Sequence, residues 1–93
     1  TADASSQVAN VTTAVTEINA TSATGAISLA DGSDGQIKIF INTSTSGTNN
    51  VVITPTNLRG GTTITLNAQG ETAVCIFKNS NWNVIGGHGF AVA

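Results

Sequence analysis

From Val11 onward the chain reads as short β-branched runs cut by Gly, Asn, Asp and Ser, a period-two pattern punctuated by turns. Thr12 to Asn19 alternates, with Ala14, Thr16 and Ile18 on one face and Thr13, Val15 and Glu17 on the other. Ala26 to Leu29 is a second run, stopped by Asp31-Gly32-Ser33-Asp34-Gly35. Gln36 to Asn42 is the clearest strand: Ile37, Ile39 and Ile41 share one face, Lys38 and Phe40 the other. The three isoleucines mark the core side, and Phe40 predicts partial cover on the second side too. After a polar loop at Ser44 to Asn50 comes Val51 to Thr56, where Pro55 has no N–H for a ladder and predicts a strand end or a sheet edge. Beyond Arg59-Gly60-Gly61, Thr62 to Asn67 alternates Ile64 and Leu66 with Thr63 and Thr65. Thr72 to Lys78 and Trp82 to Ile85 then face each other across Asn79-Ser80-Asn81, a hairpin signal.

Turn signals about every 8–12 residues predict an all-β domain, a small antiparallel β-sandwich or barrel of about seven short strands. Its expected core is Ile37, Ile39, Ile41, Val52, Ile64, Leu66, Ile76 and Val84. The expected division is an N-terminal arm over residues 1–10 and one domain over 11–93, ending in an apolar tail at 88–93. Residues 1–10 are polar and aperiodic, so they are either disordered or laid on another chain. Val8, Val11, Val15 and Ile18 fall at helical spacing, but the Val and Thr content favours a strand in the later half of Ala4 to Glu17. At the other end, Gly86-Gly87-His88-Gly89 forms a hinge before Phe90 to Ala93. Two readings of that tail stand side by side: Phe90 and Val92 dock on a groove or a neighbouring chain, or the tail completes the chain's own last strand.

Composition adds a reason to look for partners. The 93 residues include three Phe, one Trp, no Tyr and no Met, so the apolar content is mostly small and β-branched. A chain this short buries only about 60–65% of the surface it exposes when unfolded. Small domains compensate with disulfides, metals or partner subunits. Cys75 is the only cysteine and His88 the only histidine, which removes an internal disulfide and a structural zinc site. Partner subunits remain. Three basic residues, Lys38, Arg59 and Lys78, against five acidic ones cannot build a phosphate-neutralising face, so neither nucleic acid nor an anionic membrane is an expected partner. No apolar run reaches the roughly 18–20 residues of a spanning helix, and no signal-peptide pattern opens the chain. The opening Thr1 fits loss of an initiator methionine. The sparse charge and the wealth of Thr, Ser and Asn suit an extracellular or virion surface.

Catalytic chemistry finds little to work with. Acyl transfer needs a nucleophile, a base and a group to orient the base, and His88 sits between glycines, where positioning is poor. Cys75 lies between Val74 and Ile76, away from any cation, and reads as a small buried hydrophobe. The Asp31 to Gly35 stretch superficially resembles a calcium loop but lacks its alternating oxygen ligands and closing Glu, so a turn is the better reading. The acidic residues lack the aromatic-lined cleft of a glycosidase. Arg59-Gly60-Gly61 lacks the Lys-Ser/Thr of a phosphate loop. The triplets at Asn10, Asn19 and Asn42 match the glycosylation pattern by chance in a chain this rich in Asn and Thr. Trp82 reads as a core or interface anchor before a sugar platform. No catalytic residue, cofactor site or metal site is expected. The candidate interface residues are Trp82, Phe90, Val92 and Val8.

One resemblance goes further. The order LADGSDGQIKIFI, then NNVVITPTNLRGGTTITLNAQGETAVCIFKNSNWNVIGG, over Leu29 to Gly87, resembles a module of tailed-phage structural proteins, notably marine and cyanobacterial ones. Its elements are an L-x-D-G-x-x-G-Q-I-K strand entry, a V-x-x-T-P-T-N-L-x-G-G-T-T-I-T middle and an F-x-x-x-x-W-x-V-I-G closing hairpin. The resemblance implies a virion protein assembled as an intertwined homotrimer. A capsid decoration or cement protein on the outer head surface, partnered by the major capsid protein, is the leading expectation, and a tail- or head-fibre knob that engages the host is the alternative. It implies no catalytic residues.

Overall fold

A computed structural model of the chain describes residues 2–3, 6–9, 11, 14–20, 24–44 and 50–93. Its elements are β1 (Ala2–Asp3), β2 (Ser6–Ala9), β3 (Val15–Asn19), β4 (Thr24–Leu29), β5 (Ile37–Asn42), β6 (Asn50–Pro55), β7 (Ile64–Leu66), β8 (Thr72–Lys78), β9 (Asn81–His88) and β10 (Ala91–Val92). All ten are strands. They form two sheets, each of four strands with a two-residue strand added at one edge. Sheet A runs β1-β3-β5-β8-β9, and sheet B runs β10-β7-β6-β4-β2.

The two-sheet, all-β architecture matches the expectation; the strand directions correct it. From β1 to β6 the chain crosses to the opposite sheet after every strand, so each strand that returns to a sheet lies parallel to its neighbour there. Four of the pairs, β1·β3, β3·β5, β2·β4 and β4·β6, are parallel. Val15 stands beside Ile39 and Thr24 beside Asn50, one coil of chain apart. The crossover that a parallel pair requires is supplied by the facing sheet instead of a helix. Only the last third is antiparallel: β7 returns beside β6, β8 beside β5, β9 beside β8 and β10 beside β7. The N-terminal coil is thus closed at one end by an antiparallel cap. The expected arm contributes β1 and β2, one strand to each sheet, and the expected tail forms β10. The tail does not prolong β9: β10 pairs with β7 in the other sheet of the same chain. No helix forms among the described residues.

Strand boundaries follow local chemistry. Pro55 ends β6 opposite Leu29, where its missing N–H costs the ladder nothing. Ser33 to Gln36 closes with the Gln36 amide donating to the Ser33 carbonyl at 2.9 Å, and Gly35 takes φ 86° at the third position, as a type II turn demands. The β8–β9 hairpin turns on two residues, Asn79 and Ser80, at φ 54° and 65°, a type I′ geometry tighter than the expected three-residue loop. Glycine suits the second of these positions. Ser80→Gly is expected to stabilise the domain by about 0.5 kcal/mol, because relief of the left-handed strain exceeds the added freedom of the unfolded chain. A thermal melt should rise by roughly 2–4 °C; no rise, or a fall, would count against the turn assignment.

The core lies between the sheets, and it inverts the expected face of β5. Lys38, Phe40 and Asn42 are fully buried, whereas Ile37, Ile39 and Ile41 lie on the outer surface. In β8 the buried set is Ala73, Cys75 and Phe77, which puts Val74 and Ile76 outside, and in β6 it is Val51, Ile53 and Pro55, which puts Val52 outside. Ile64 and Leu66 are core residues as expected, and Val84 packs against the core from a half-buried position. Alternation was therefore legible, while its phase was legible in β7 and not in β5, β6 or β8. The aromatic rings settle the phase, since Phe40, Phe77 and Trp82 are bulky and all buried.

Candidate functional site

Trp82 is the second residue of β9, opposite Phe77, and the two rings meet edge to face with centroids 5.2 Å apart. Its indole Nε1 donates to the Ala30 carbonyl just past β4, at 2.9 Å. The Trp82 backbone is held as well: its amide donates to Asn57 O, and its carbonyl accepts from Arg59 N. One side chain thus ties sheet A to sheet B at one end of the sandwich. With its side chain wholly buried, Trp82 anchors this chain's own core, and the expectation of Trp82 as a contact for another chain is corrected accordingly. Phe90 is half-buried against the same core. Val92 lies in β10 opposite Ile64 and keeps 38% of its surface exposed. The Ala93 carbonyl accepts from both Thr62 N and Thr63 N, and a Cβ at Gly61 would come within 2.9 Å of it. Val8 lies in β2 opposite Ser28, with its side chain outside the described part of the structure.

The opposite end of the sandwich is tied by Asn42. Its Nδ2 donates to Leu66 O in sheet B at 3.0 Å, while its Oδ1 accepts from Ser44 N and Ser44 Oγ. Ser44 Oγ accepts in turn from Ala20 N at 2.9 Å. An Asn-Thr-Ser triplet read as a chance glycosylation match is therefore a buried polar clasp between the sheets. Asn19 is half-buried on β3, and Asn10 lies outside the described residues.

Among the described residues the titratable groups do not converge. The Cys75 thiol is enclosed in the core, and burial pushes it up to about 11. Lys38, buried on the neighbouring strand opposite Cys75, has its pKa lowered by the same loss of water, and its Nζ lies 5.9 Å from the centroid of the Phe40 ring. Asp31 accepts from Asn57 Nδ2 at both carboxylate oxygens, Asp34 pairs with Lys78 at 3.6 Å, and Glu71 accepts from Asn67 N. His88 and Glu17 are exposed. Among the described residues no three His, Cys, Asp or Glu side chains gather as a metal site would require. The Asp31 to Gln36 turn, with Val11, lines an open depression whose polar side chains serve the turn: Gln36 Oε1 accepts from Ser33 N, and Gln36 Nε2 donates to Val11 O.

Cys75 has a measurable consequence. A thiol that ionises near 9.0 when unfolded and near 11 when folded favours the native state fully below pH 9 and loses that advantage as pH rises towards 11. Over that range the protein should lose about 2–3 kcal/mol relative to Cys75→Ala. Lys38 acts in the opposite sense, since its lowered pKa relieves a penalty as pH rises, but it is common to both proteins and cancels in the difference. Denaturant titrations at pH 8 and pH 10.5 check this; parallel curves for the two proteins would exclude a buried thiol.

The feature that stands out is the outer surface of sheet A. Register places Val15, Ile39 and Val74 in one row across three strands and Ile37 beside Ile76 in the next. Ile41 continues the face, and Ile85 stands at the bulge in β9 opposite Val74 and Cys75. Val15, Ile37 and Ile85 keep 48%, 38% and 58% of their surface exposed. The outer surface of sheet B is different in kind. Among the described side chains its exposed or half-buried positions are Ala26, Ser28, Asn50, Val52, Thr54, Thr65 and Ala91, small or polar apart from Val52. Sheet A therefore encloses a lysine and an asparagine and leaves three isoleucines of the same strand outside. Parallel strands are ordinarily covered on both faces, and β3·β5 is a parallel pair covered on one. Sequence reading missed this face because it assigned those isoleucines to the core. No protein-family model and no curated protein sequence matches the chain.

Proposed function

We propose that the chain is a non-catalytic structural module of a virion surface, a capsid decoration protein that associates with itself and with the major capsid protein on the outer head. The observation that carries this reading is the Val/Ile face of sheet A, set against the small and polar side chains on the outer face of sheet B. A two-sided module of this kind has one surface suited to burial in an assembly and one suited to water. Burial of the apolar face supplies the packing that so small a core lacks, and binding to a shell adds stability by mass action. The phage-module resemblance over Leu29 to Gly87 supports the virion setting.

The parallel coil of β1 to β6 favours a second reading, a fibre module. Stacked parallel coils build elongated shafts, and an antiparallel cap such as β7 to β10 suits a shaft's end. Absolute quantification of the protein in purified particles separates the two. Hundreds of copies per particle are expected for decoration, tens would replace it with the fibre reading, and none would remove both.

A further inference from the structure

The outer face of sheet A is complementary to itself about a point near its middle. Among the described outward side chains of β3, β5 and β8, its charges are Glu17 and Lys78. Glu17 stands level with Ile41, on the β3 side of β5. Lys78 lies on the β8 side, two residues past the level of Ile37 and Ile76, so the two charges occupy diagonal corners. The line joining them crosses β5 midway between Ile37 and Ile39. Turning the face over, about an axis in its plane through that point and at right angles to the line, exchanges the two corners. The same turn lays Val15 over Ile37 and Ile39 over Ile76, and returns Val74 to itself. Val15 and Ile37, the most exposed apolar side chains of these three strands, are thus matched with each other. Ile85, at the bulge in β9, lies outside these pairings.

We infer that two copies of this chain pair face to face through the outer surfaces of sheet A, with Glu17 of each against Lys78 of the other. This rests on the reading above only in its claim that the chain self-associates, and the number, two, departs from the three that the phage resemblance implies. The contact is isologous, one patch against its own copy, and a single two-fold axis closes it. Ile37 decides for a pair over a larger ring. It stands inside the face, on β5, with β3 on one side and β8 on the other, and only cover by an equally broad face removes it from water. Lys78 already pairs with Asp34 at 3.6 Å, with both side chains 60% exposed, and its ammonium has donors to spare for a second carboxylate. The area sets the strength. Four strands at about 4.8 Å spacing, along the seven residues of β8, make a face of roughly 450 Å² measured flat. Two such faces in contact cover about 900 Å², near the lower limit for a specific pair, so the dimer is weak and reversible. Sheet B faces water on both sides of it.

The test is a charge exchange read by sedimentation equilibrium. The wild type is expected as a reversible mixture of monomer and dimer with a Kd of about 10–100 µM. Glu17→Lys and Lys78→Glu each set like charges together twice per dimer, and each is expected to raise Kd by about tenfold. Combined in one chain, the two substitutions put opposite charges back at both corners, and Kd should return to within about threefold of the wild type. Both positions are exposed, and an unchanged thermal melt checks that the fold is kept. Val74→Lys, which brings two ammonium groups together on the axis, is expected to sediment as a monomer throughout. A wild type that stays monomeric at several hundred micromolar, a trimer, or a double variant no tighter than the weaker single one would overturn the pair. A dimer that is absent from particles would instead sink the virion reading, and an abundant virion protein that stays monomeric in solution would sink the pair alone.

Discussion

Trp82→Ala is expected to destabilise the domain by about 4 kcal/mol, the upper range for removing a large aromatic from a core. For a domain whose whole stability lies near 5–10 kcal/mol, this removes roughly half or more of it. The loss has separable parts. The indole fills the space beside Phe77, and its Nε1 is the link from sheet A to the Ala30 carbonyl of the β4 exit. Trp82→Phe keeps most of the volume and loses the link. Ala30 is exposed, so its carbonyl can turn to water, and this variant should cost only about 1–2 kcal/mol. Thermal melts would show a drop of more than about 15 °C for the alanine variant and at most about half of that for phenylalanine. Equal drops would mean that the hydrogen bond outweighs packing, and a melt within a few degrees of the wild type for alanine would remove Trp82 from the core.

At the other end of the sandwich, Asn42→Ala is expected to cost about 3 kcal/mol, because it leaves Leu66 O and both Ser44 donors without their buried partner. Asn42→Asp sharpens the point. The shape is nearly unchanged, and an oxygen can still accept from Ser44, but the group facing Leu66 O has no proton to give when ionised. A buried carboxyl has its pKa raised, so its neutral form, which can donate to Leu66 O, persists to higher pH in the folded state than in the unfolded one. Stability of this variant should therefore be greatest below the unfolded carboxyl range and fall as pH rises through the folded value. Chemical denaturation at pH 4 and pH 7 checks the sign. A variant more stable at pH 7, after the wild-type pH dependence is subtracted, would contradict the clasp between Asn42 and Leu66.

These two residues show what a reading of local pattern misses. Trp82 was expected as a core or interface anchor, and Asn42 only as part of a chance Asn-x-Ser/Thr triplet. Neither the partner carbonyl of Trp82, 52 residues away in sequence, nor that of Asn42, 24 residues away, leaves a trace in neighbouring residues. The hairpin at Asn79 and Ser80 and the strand end at Pro55 were legible because a turn and a missing N–H act on adjacent residues. Strand direction was not. A run such as Gln36 to Asn42 is equally good in a parallel or an antiparallel ladder, and the choice depends on which sheet the chain crosses to next.

The amino-acid order by itself determined that this protein is built of strands, where most of them lie and which side chains share a face, because backbone alternation and turn chemistry are local. It also specified a chain poor in charge and aromatic bulk, with one enclosed thiol and no second cysteine to bind. Only the tertiary structure decided that the first six strands coil between two sheets, and that β5 turns Lys38, Phe40 and Asn42 inward and its isoleucines outward. Each face of that strand carries bulky side chains that can be buried, Phe40 on one and the isoleucines on the other, so the choice fell to contacts with distant residues: the rings of Phe77 and Trp82, and the carbonyl of Leu66 that pairs with Asn42.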